Sequence, residues 1–392
     1  MDNLSIEEGW KIYQEMLANA PREEIPPPAG PAKFDQVVVD EFSLYYDRWP
    51  LEVQSIDSQM EELCRIDLKV NRPPRDSKEE QELLDSAFAV YRRAGFPYPT
   101  TSDNDLRRVL ALLRRSDSCI VGRDIKQSLT GYTAASSFHP SMYNVRCRGK
   151  LTPLEAFSDD DKLRRALLRR IRFGDNLRPG GLRRELVTSP GVQGASNFRP
   201  TAALSLIKHF SATNVLDFCM GWGGRMLGAV AAGVTYTGID PSTEAINGNK
   251  QLLRQLRRVQ HSMLSDTTIV WGRAEEILGQ GIFAPDLILT SPPYFDTEHY
   301  SKEITQSYLR YPEIELWYEQ FLGVCINGCY SDLRPGGHLV LNVSNAMAAR
   351  TAEIAGLTGF RPVITLNLIL GSRPSRKTGS YKHEPVLVFR KD

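Results

Sequence analysis

The chain has 392 residues, 41% apolar and 24% charged, which supplies enough apolar material for a packed core and excludes wholesale disorder. At roughly 100–200 residues per domain, this length suggests two domains, or one large domain with an appendage. The formal net charge is +1, so nothing in the total attracts a phosphate polymer.

That total conceals a polarity. Residues 1–100 carry 11 Lys+Arg against 20 Asp+Glu, a balance of −9. Residues 101–190 carry 18 against 10, or +8, and residues 191–392 carry 19 against 17, or +2. An acidic block therefore cancels a basic one. The six cysteines, Cys64, Cys119, Cys147, Cys219, Cys325 and Cys329, are irregularly spaced and do not read as a disulfide framework. Cys325 and Cys329 are four apart with no second ligand pair nearby, so no metal site is expected. The start, MDNLSIEEGW, lacks the basic and apolar regions of a signal peptide. No apolar run approaches the roughly 18–20 residues of a membrane span. These features lead us to expect a soluble cytoplasmic protein with no membrane partner.

In chain order, a short amphipathic segment leads into the Pro-rich linker 21–33, and a second break falls at 71–80. The spacing of Leu83, Leu84, Ala87, Phe88 and Tyr91 predicts a helix over Glu79–Ala94. Helices are also predicted over Asp105–Arg115 and Asp160–Phe173. The latter has Asp159–Asp161 at its start and its arginines further on, which suits the macrodipole. Residues 1–190 thus read as a mostly helical N-terminal region.

After about residue 200 the pattern changes. Strands are predicted at Asn214–Met220, Val234–Ile239, Thr267–Trp271, Asp286–Thr290, His338–Ser344, Val363–Leu370 and Pro385–Arg390. Helices are predicted between them, notably Ser242–Val259 and Ile314–Leu333. Alternation of this kind implies parallel strands joined by right-handed crossovers, an α/β doubly wound sheet of seven strands over 191–392.

Two segments in this region carry chemistry. The first predicted strand runs through Asp217 and Cys219 into Gly221-Trp222-Gly223-Gly224, and the second ends in Asp240. Glycines at such a turn let the backbone approach a ligand beyond the carboxyl ends of the strands. An acidic residue at the end of the next strand can accept both hydroxyls of a ribose, and the third strand leads to Glu275, where the base of a nucleoside would lie. The spacing is neither the dinucleotide fingerprint nor a phosphate loop. A tight structural turn with a surface Asp is the competing reading of this segment.

The second segment is Ser291-Pro292-Pro293-Tyr294, at the end of the fourth strand. Two prolines cannot continue a sheet ladder, so they fix a rigid loop that presents an aromatic ring. Ser291 and the Pro292 carbonyl can accept the two N–H groups of an exocyclic amine, and Tyr294 can stack on a planar ring. Glu298, His299 and Tyr300 follow in a polar loop that could contact a target base or simply be solvated. Trp222 reads more readily as packing than as a cofactor wall.

With these residues the chain resembles the S-adenosylmethionine (SAM)-dependent amino-methyltransferases of nucleic-acid bases, the DNA cytosine-N4 and adenine-N6 enzymes. The resemblance is carried by Asp217 to Gly223, Asp240 and Ser291 to Tyr294. It extends to Asn197-Phe198-Arg199-Pro200-Thr201, where the family contacts the methionine end of the cofactor, and to the last strand, Lys382–Phe389. It covers roughly residues 190–392. In this resemblance Phe198, Pro200, Asp217, Cys219, Gly221, Gly223, Asp240 and Glu275 hold SAM, and Ser291, Pro292, Pro293 and Tyr294 are catalytic. Asp217 reaches the cofactor indirectly or only fixes the loop. The target base is flipped out of its DNA duplex. Ser at the first position of the tetrapeptide leans toward cytosine-N4 over adenine-N6, as in restriction-modification enzymes. Carbon-5 cytosine chemistry is disfavoured, because it needs a Cys where this motif has Pro. Two departures stand out: Cys219 replaces the family's usual Phe, and the long target-recognition insertion is absent from both customary places.

The basic block offers a substitute for that insertion. Arg164, Arg165, Arg169, Arg170 and Arg172, with Arg178, Arg183 and Arg184 close behind, precede Asn197, and Arg376 lies between the last two strands. Arginines grip phosphates bidentately, and such contacts dominate nucleic-acid affinity. The expectation is that residues 1–190 recognise DNA and residues 191–392 catalyse. The alternatives are a methyltransferase of RNA-base amines, a non-catalytic methyltransferase-fold partner subunit and, third, a small-molecule methyltransferase. The sequence leaves the oligomeric state open.

Overall fold

The computed structural model describes residues 58–260, 266–370 and 381–392. All of them fall in one compact unit, Gln54–Asp392. The N-terminal amphipathic segment, the linker at 21–33 and Arg376 lie outside the described residues.

The N-terminal region is helical, as its periodicity implies. Helices Ser58–Arg65, Lys78–Ala94, Asp103–Arg115, Pro153–Ser158, Asp160–Phe173 and Pro179–Thr188 account for most of it. Local chemistry sets their ends. Ser102 and Asp105 form a reciprocal capping box, and so do Thr152 and Glu155. Gly174 closes the helix Asp160–Phe173 in the left-handed conformation, where a Cβ would be strained. Leu163, Ala166, Leu167 and Ile171 of that helix pack with Leu84, Ala87 and Tyr91 of Lys78–Ala94 into the core of this layer.

Three short strands interrupt the helices: β1 (Ile120–Val121), β2 (Asp124–Ile125) and β3 (Arg146–Cys147). Sequence patterning missed them, since two residues are too few for any alternation to register.

All seven expected strands form: β4 (Asn214–Asp217), β5 (Thr235–Asp240), β6 (Thr267–Trp271), β7 (Leu287–Thr290), β9 (His338–Asn342), β10 (Arg361–Ile369) and β11 (His383–Arg390). Strand β8 (Glu298–His299) pairs only with β3, antiparallel. The main sheet has the order β1-β2-β10-β11-β9-β7-β4-β5-β6. The chain order reverses between β4 and β7, which makes the sheet doubly wound and places a switch point at their carboxyl ends.

The expectation of an all-parallel sheet needs correction, because β11 lies antiparallel to both β9 and β10. No helical pattern lies between Leu370 and Lys382 in the sequence, and a parallel return needs a crossover element. The expected helix over Ile314–Leu333 is also divided, into Ile314–Trp317, a wider-turned stretch Tyr318–Gly323, and Val324–Asp332.

The boundary expected at residue 190 runs through the compact unit. Strand β2 pairs parallel with β10, at Asp124 with Asn367 and Ile125 with Leu368. Leu106, Leu110 and Leu113 share one core with Ala203, Met226 and Leu252 of the sheet's helices. The opposite face of the sheet buries Trp317, Phe321 and Leu339. No helix among the described residues is long and apolar enough to cross a membrane.

Candidate active site

Strand β4 delivers its last residue, Asp217, into the protein interior. Its Oδ2 accepts from Arg225 Nε at 2.7 Å and from the Tyr236 hydroxyl at 2.8 Å. Arg225 also reaches back to the Cys219 carbonyl, so this buried pair braces the loop from beneath. Above it the chain turns through Gly221 and Gly223, both with positive φ, 56° and 73°. A side chain on Gly223 would strike Asn249 Oδ1 at 2.5 Å, and one on Gly224 would meet the Phe198 carbonyl at 1.8 Å. Gly221 by contrast has open space before it, its nearest neighbour being the Cys219 carbonyl at 3.9 Å.

The end of β5 meets this loop. Asp240 Oδ2 accepts the Gly221 amide at 2.9 Å, and Oδ1 accepts the Ser242 amide at 2.9 Å. Each carboxylate oxygen has a further lone-pair site. Burial pushes the Asp240 carboxyl up to about 6. Asn197 donates to the Trp222 carbonyl at 2.8 Å, which ties the segment before the helix Pro200–His209 to the same loop.

Strand β7 ends in buried Thr290, whose hydroxyl accepts the Cys219 amide at 3.1 Å. Ser291 to Tyr294 follow directly. Asn342, at the end of β9, donates to the Pro385 carbonyl at 3.3 Å, which turns its Oδ1 toward the Ser291 and Tyr294 hydroxyls, each at 3.4 Å. The Tyr294 hydroxyl also donates to Glu384 Oε2 at 2.9 Å. Burial, then the Glu384 charge, hold that phenol well above its usual range. Glu298 accepts from the Tyr300 hydroxyl, and burial raises its carboxyl too. Tyr300 in turn meets Trp222 edge-on at 5.6 Å.

These elements open on one cleft of 1640 Å³. Phe198, Cys219, Gly221, Asp240, Glu275 and all of Ser291 to Tyr294 line it. Three expected cofactor residues do not. Asp217 is consumed beneath the loop by Arg225 and Tyr236, Gly223 is turned against Asn249, and Pro200 starts its helix against Gly131. They shape the cleft without facing it.

The expected arginine track changes more. Arg170 is only 2% exposed and donates to the carbonyls of Asn176 at 2.7 Å and Gly181 at 3.0 Å. Arg172 binds Glu80 at 2.7 Å and Asp76, Arg164 binds Asp85 at 2.6 Å, and Arg169 binds Glu185 at 3.0 Å. Arg165 is exposed. The acidic helix Lys78–Ala94 and its flank thus neutralise much of the basic helix Asp160–Phe173 internally, and Arg170 is a structural residue. The pairing is tertiary, so residue order could not reveal it.

Among the described residues the cleft is electrically two-sided. On the helical side, Lys126, Arg178, Arg183, Arg184 and Arg199 line it together with the Arg170–Asp175 pair. On the sheet side, Asp240, Glu244, Glu275, Glu298 and Glu384 face it with Arg225 alone. Asn342 and Glu384, which sequence reasoning passed over, fix the Pro-Pro loop; their one signal was their position at strand ends. His139 was missed as well. It is wholly buried against Gly248, and burial lowers its imidazole to about 3.

No protein-family model and no curated protein sequence matches the chain. Solved structures resemble its fold at low identity. TrmN from Thermus thermophilus is 19% identical over 49% of this chain and 49% of its own, with a TM-score of 0.33. The N-methyltransferase NodS from Bradyrhizobium japonicum WM9 is 16% identical over 49% of this chain and 93% of its own, at 0.33. NSun6 from Pyrococcus horikoshii with SFG is 16% identical over 50% and 53%, at 0.36. This chain thus spans about half the length of TrmN. The doubly wound fold described above stands on its strand order.

Proposed function

We propose that the protein is a SAM-dependent methyltransferase acting on an exocyclic amine of a DNA base, with cytosine-N4 favoured over adenine-N6. One observation carries the reading: the rigid Ser291–Tyr294 loop shares a cleft with the Gly221–Asp240 turn, at the switch point of the sheet.

The residues present suit the cofactor. Gly221 leaves open space, Asp240 has lone pairs to spare, and the sheet-side wall is acidic, which favours a sulfonium cation. Asp240 would take the ribose hydroxyls and Glu275 would border the adenine. When bound, SAM supplies an electrophilic methyl group.

The chain's own residues do the rest. Ser291 Oγ spends its proton toward Asn342, so its lone pairs are available to accept one amine N–H. The Pro292 carbonyl accepts the other, and the amine lone pair is then aimed at the methyl. Tyr294 stacks on the base with its hydroxyl anchored by Glu384. Positioning and preorganised dipoles provide the rate, and no covalent enzyme intermediate is required.

The test is incubation of the protein with methyl-labelled SAM and, separately, DNA, RNA or free nucleosides. Products are then digested and separated by chromatography. Label in N4-methylcytosine from DNA is the expected result. Label confined to RNA would move the substrate, and no transfer to any base amine would overturn the reading.

A further inference from the structure

We propose that the helical side of the cleft grips the phosphates flanking the target nucleotide, with Lys126, Arg178 and Arg184 as the contacts. This inference rests on the base-methylation reading and assigns the backbone-binding surface of the same site.

Volume is the first argument. Small-molecule sites usually span about 300–1,000 Å³. At 1640 Å³ the cleft has room for a second ligand beside a cofactor.

Charge is the second. The sheet side is acidic and suits the hydrogen-bond donors of a base and a sulfonium cation. The helical side is basic and suits an anion. A ligand complementary to both is a base joined to negative charge on one side only, which describes a nucleotide within its strand.

Availability is the third. Lys126, Arg178 and Arg184 are exposed, and none has an ion-pair partner among the described residues. Arg183 and Arg199 line the same wall but spend donors on the carbonyls of Pro97 and Gln127. The helix Asp160–Phe173, richest in arginine, is largely neutralised by its acidic neighbours. Contact with phosphate therefore moves from that helix to the start of Pro179–Thr188 and the turn after β2.

The test is fluorescence anisotropy with labelled single-stranded DNA and RNA oligonucleotides over a salt series. It compares the wild-type chain, Arg178→Ala/Arg184→Ala, the conservative Arg178→Lys/Arg184→Lys, and Arg361→Ala. Arg361 starts β10 at the end of the sheet opposite the cleft. The alanine pair should lower the slope of log affinity against log salt by about 2, roughly one per lost phosphate contact. It should weaken binding about tenfold or more at moderate salt while leaving SAM affinity and thermal unfolding unchanged. The lysine pair should keep most of the slope, and Arg361→Ala should behave as wild type. The DNA and RNA arms identify which backbone is preferred.

An alanine pair with wild-type slope and affinity, in a protein that methylates the oligonucleotide, overturns this inference alone. A wild-type chain that neither binds nor methylates any oligonucleotide overturns the base-methylation reading, and this inference with it.

Discussion

Tyr294 donates its hydroxyl to Glu384 Oε2 at 2.9 Å, which joins the loop after β7 to the first turn of β11. The antiparallel last strand therefore holds the aromatic ring of the base site. Tyr294→Phe keeps the ring and loses this anchor, whereas Tyr294→Ala loses the ring as well. Base–aromatic stacking is worth about 1–3 kcal/mol, so Tyr294→Ala should reduce kcat/KM by roughly 5- to 150-fold. Tyr294→Phe should fall between it and wild type. Steady-state methylation assays check the order; a Tyr294→Ala variant of wild-type activity would remove the loop from the site.

Asp240 makes cofactor affinity depend on pH. Only its ionised form offers all its lone pairs to ribose hydroxyls, and burial raises its carboxyl to about 6 from an ordinary 3.8. SAM affinity should therefore fall as pH drops through about 6, and calorimetry between pH 5 and 8 would follow it. Asp240→Asn should bind weakly and lose this dependence. Stability moves the other way. A raised native carboxyl favours the folded state at pH below the unfolded value, and that contribution is lost as pH rises through about 6.

The Asp217–Arg225 pair is fully enclosed, and removing one partner leaves a buried charge uncompensated. Arg225→Leu should cost about 3–5 kcal/mol in denaturant unfolding, far more than an exposed pair such as Arg361–Asp392. Equal losses from the two substitutions would contradict the bracing role.

Glycine-to-alanine changes should split in sign. At Gly224 the added carbon would overlap the Phe198 carbonyl, so Gly224→Ala should destabilise by about 1–3 kcal/mol or more and weaken SAM binding. At Gly356, within the helix Ala348–Thr358, nothing lies within 4 Å, and alanine should stabilise by about 0.5–1 kcal/mol. Thermal melts of both variants settle the comparison.

Reversal of Arg170 separates a structural arginine from a recognition one. Its guanidinium sits among the carbonyls of Asn176 and Gly181. Arg170→Glu would place a buried carboxylate against those oxygens, so the melting temperature should fall. Unchanged stability with lost nucleic-acid binding would restore the sequence expectation for this residue.

These contrasts show where residue order is informative. Val215, Leu216, Leu287, Ile288 and Leu289 form unbroken apolar runs because their strands are buried on both faces, so the sheet was legible. The Pro-Pro loop was legible because prolines act locally. The Arg172–Glu80 pair joins positions 92 residues apart, and the Asn342 and Glu384 contacts to Tyr294 span 48 and 90, so only folding brings them together. The β1–β2 hairpin escaped notice for the opposite reason: it is too short to carry a pattern.

That hairpin has a practical consequence. Strand β10 runs nine residues, and beyond β11 its other neighbour is β2, whose turn also accepts the Asn367 amide at the Arg123 carbonyl, 2.7 Å away. Cutting the chain at residue 190 would strip this cover and bare a row of unpaired backbone groups, a template for self-association. It would also expose the apolar faces of Ala203 and Met226. The catalytic half is therefore unsuited to life as an excised fragment, and swapping recognition regions between such proteins would have to carry Ile120–Ile125 along with the sheet.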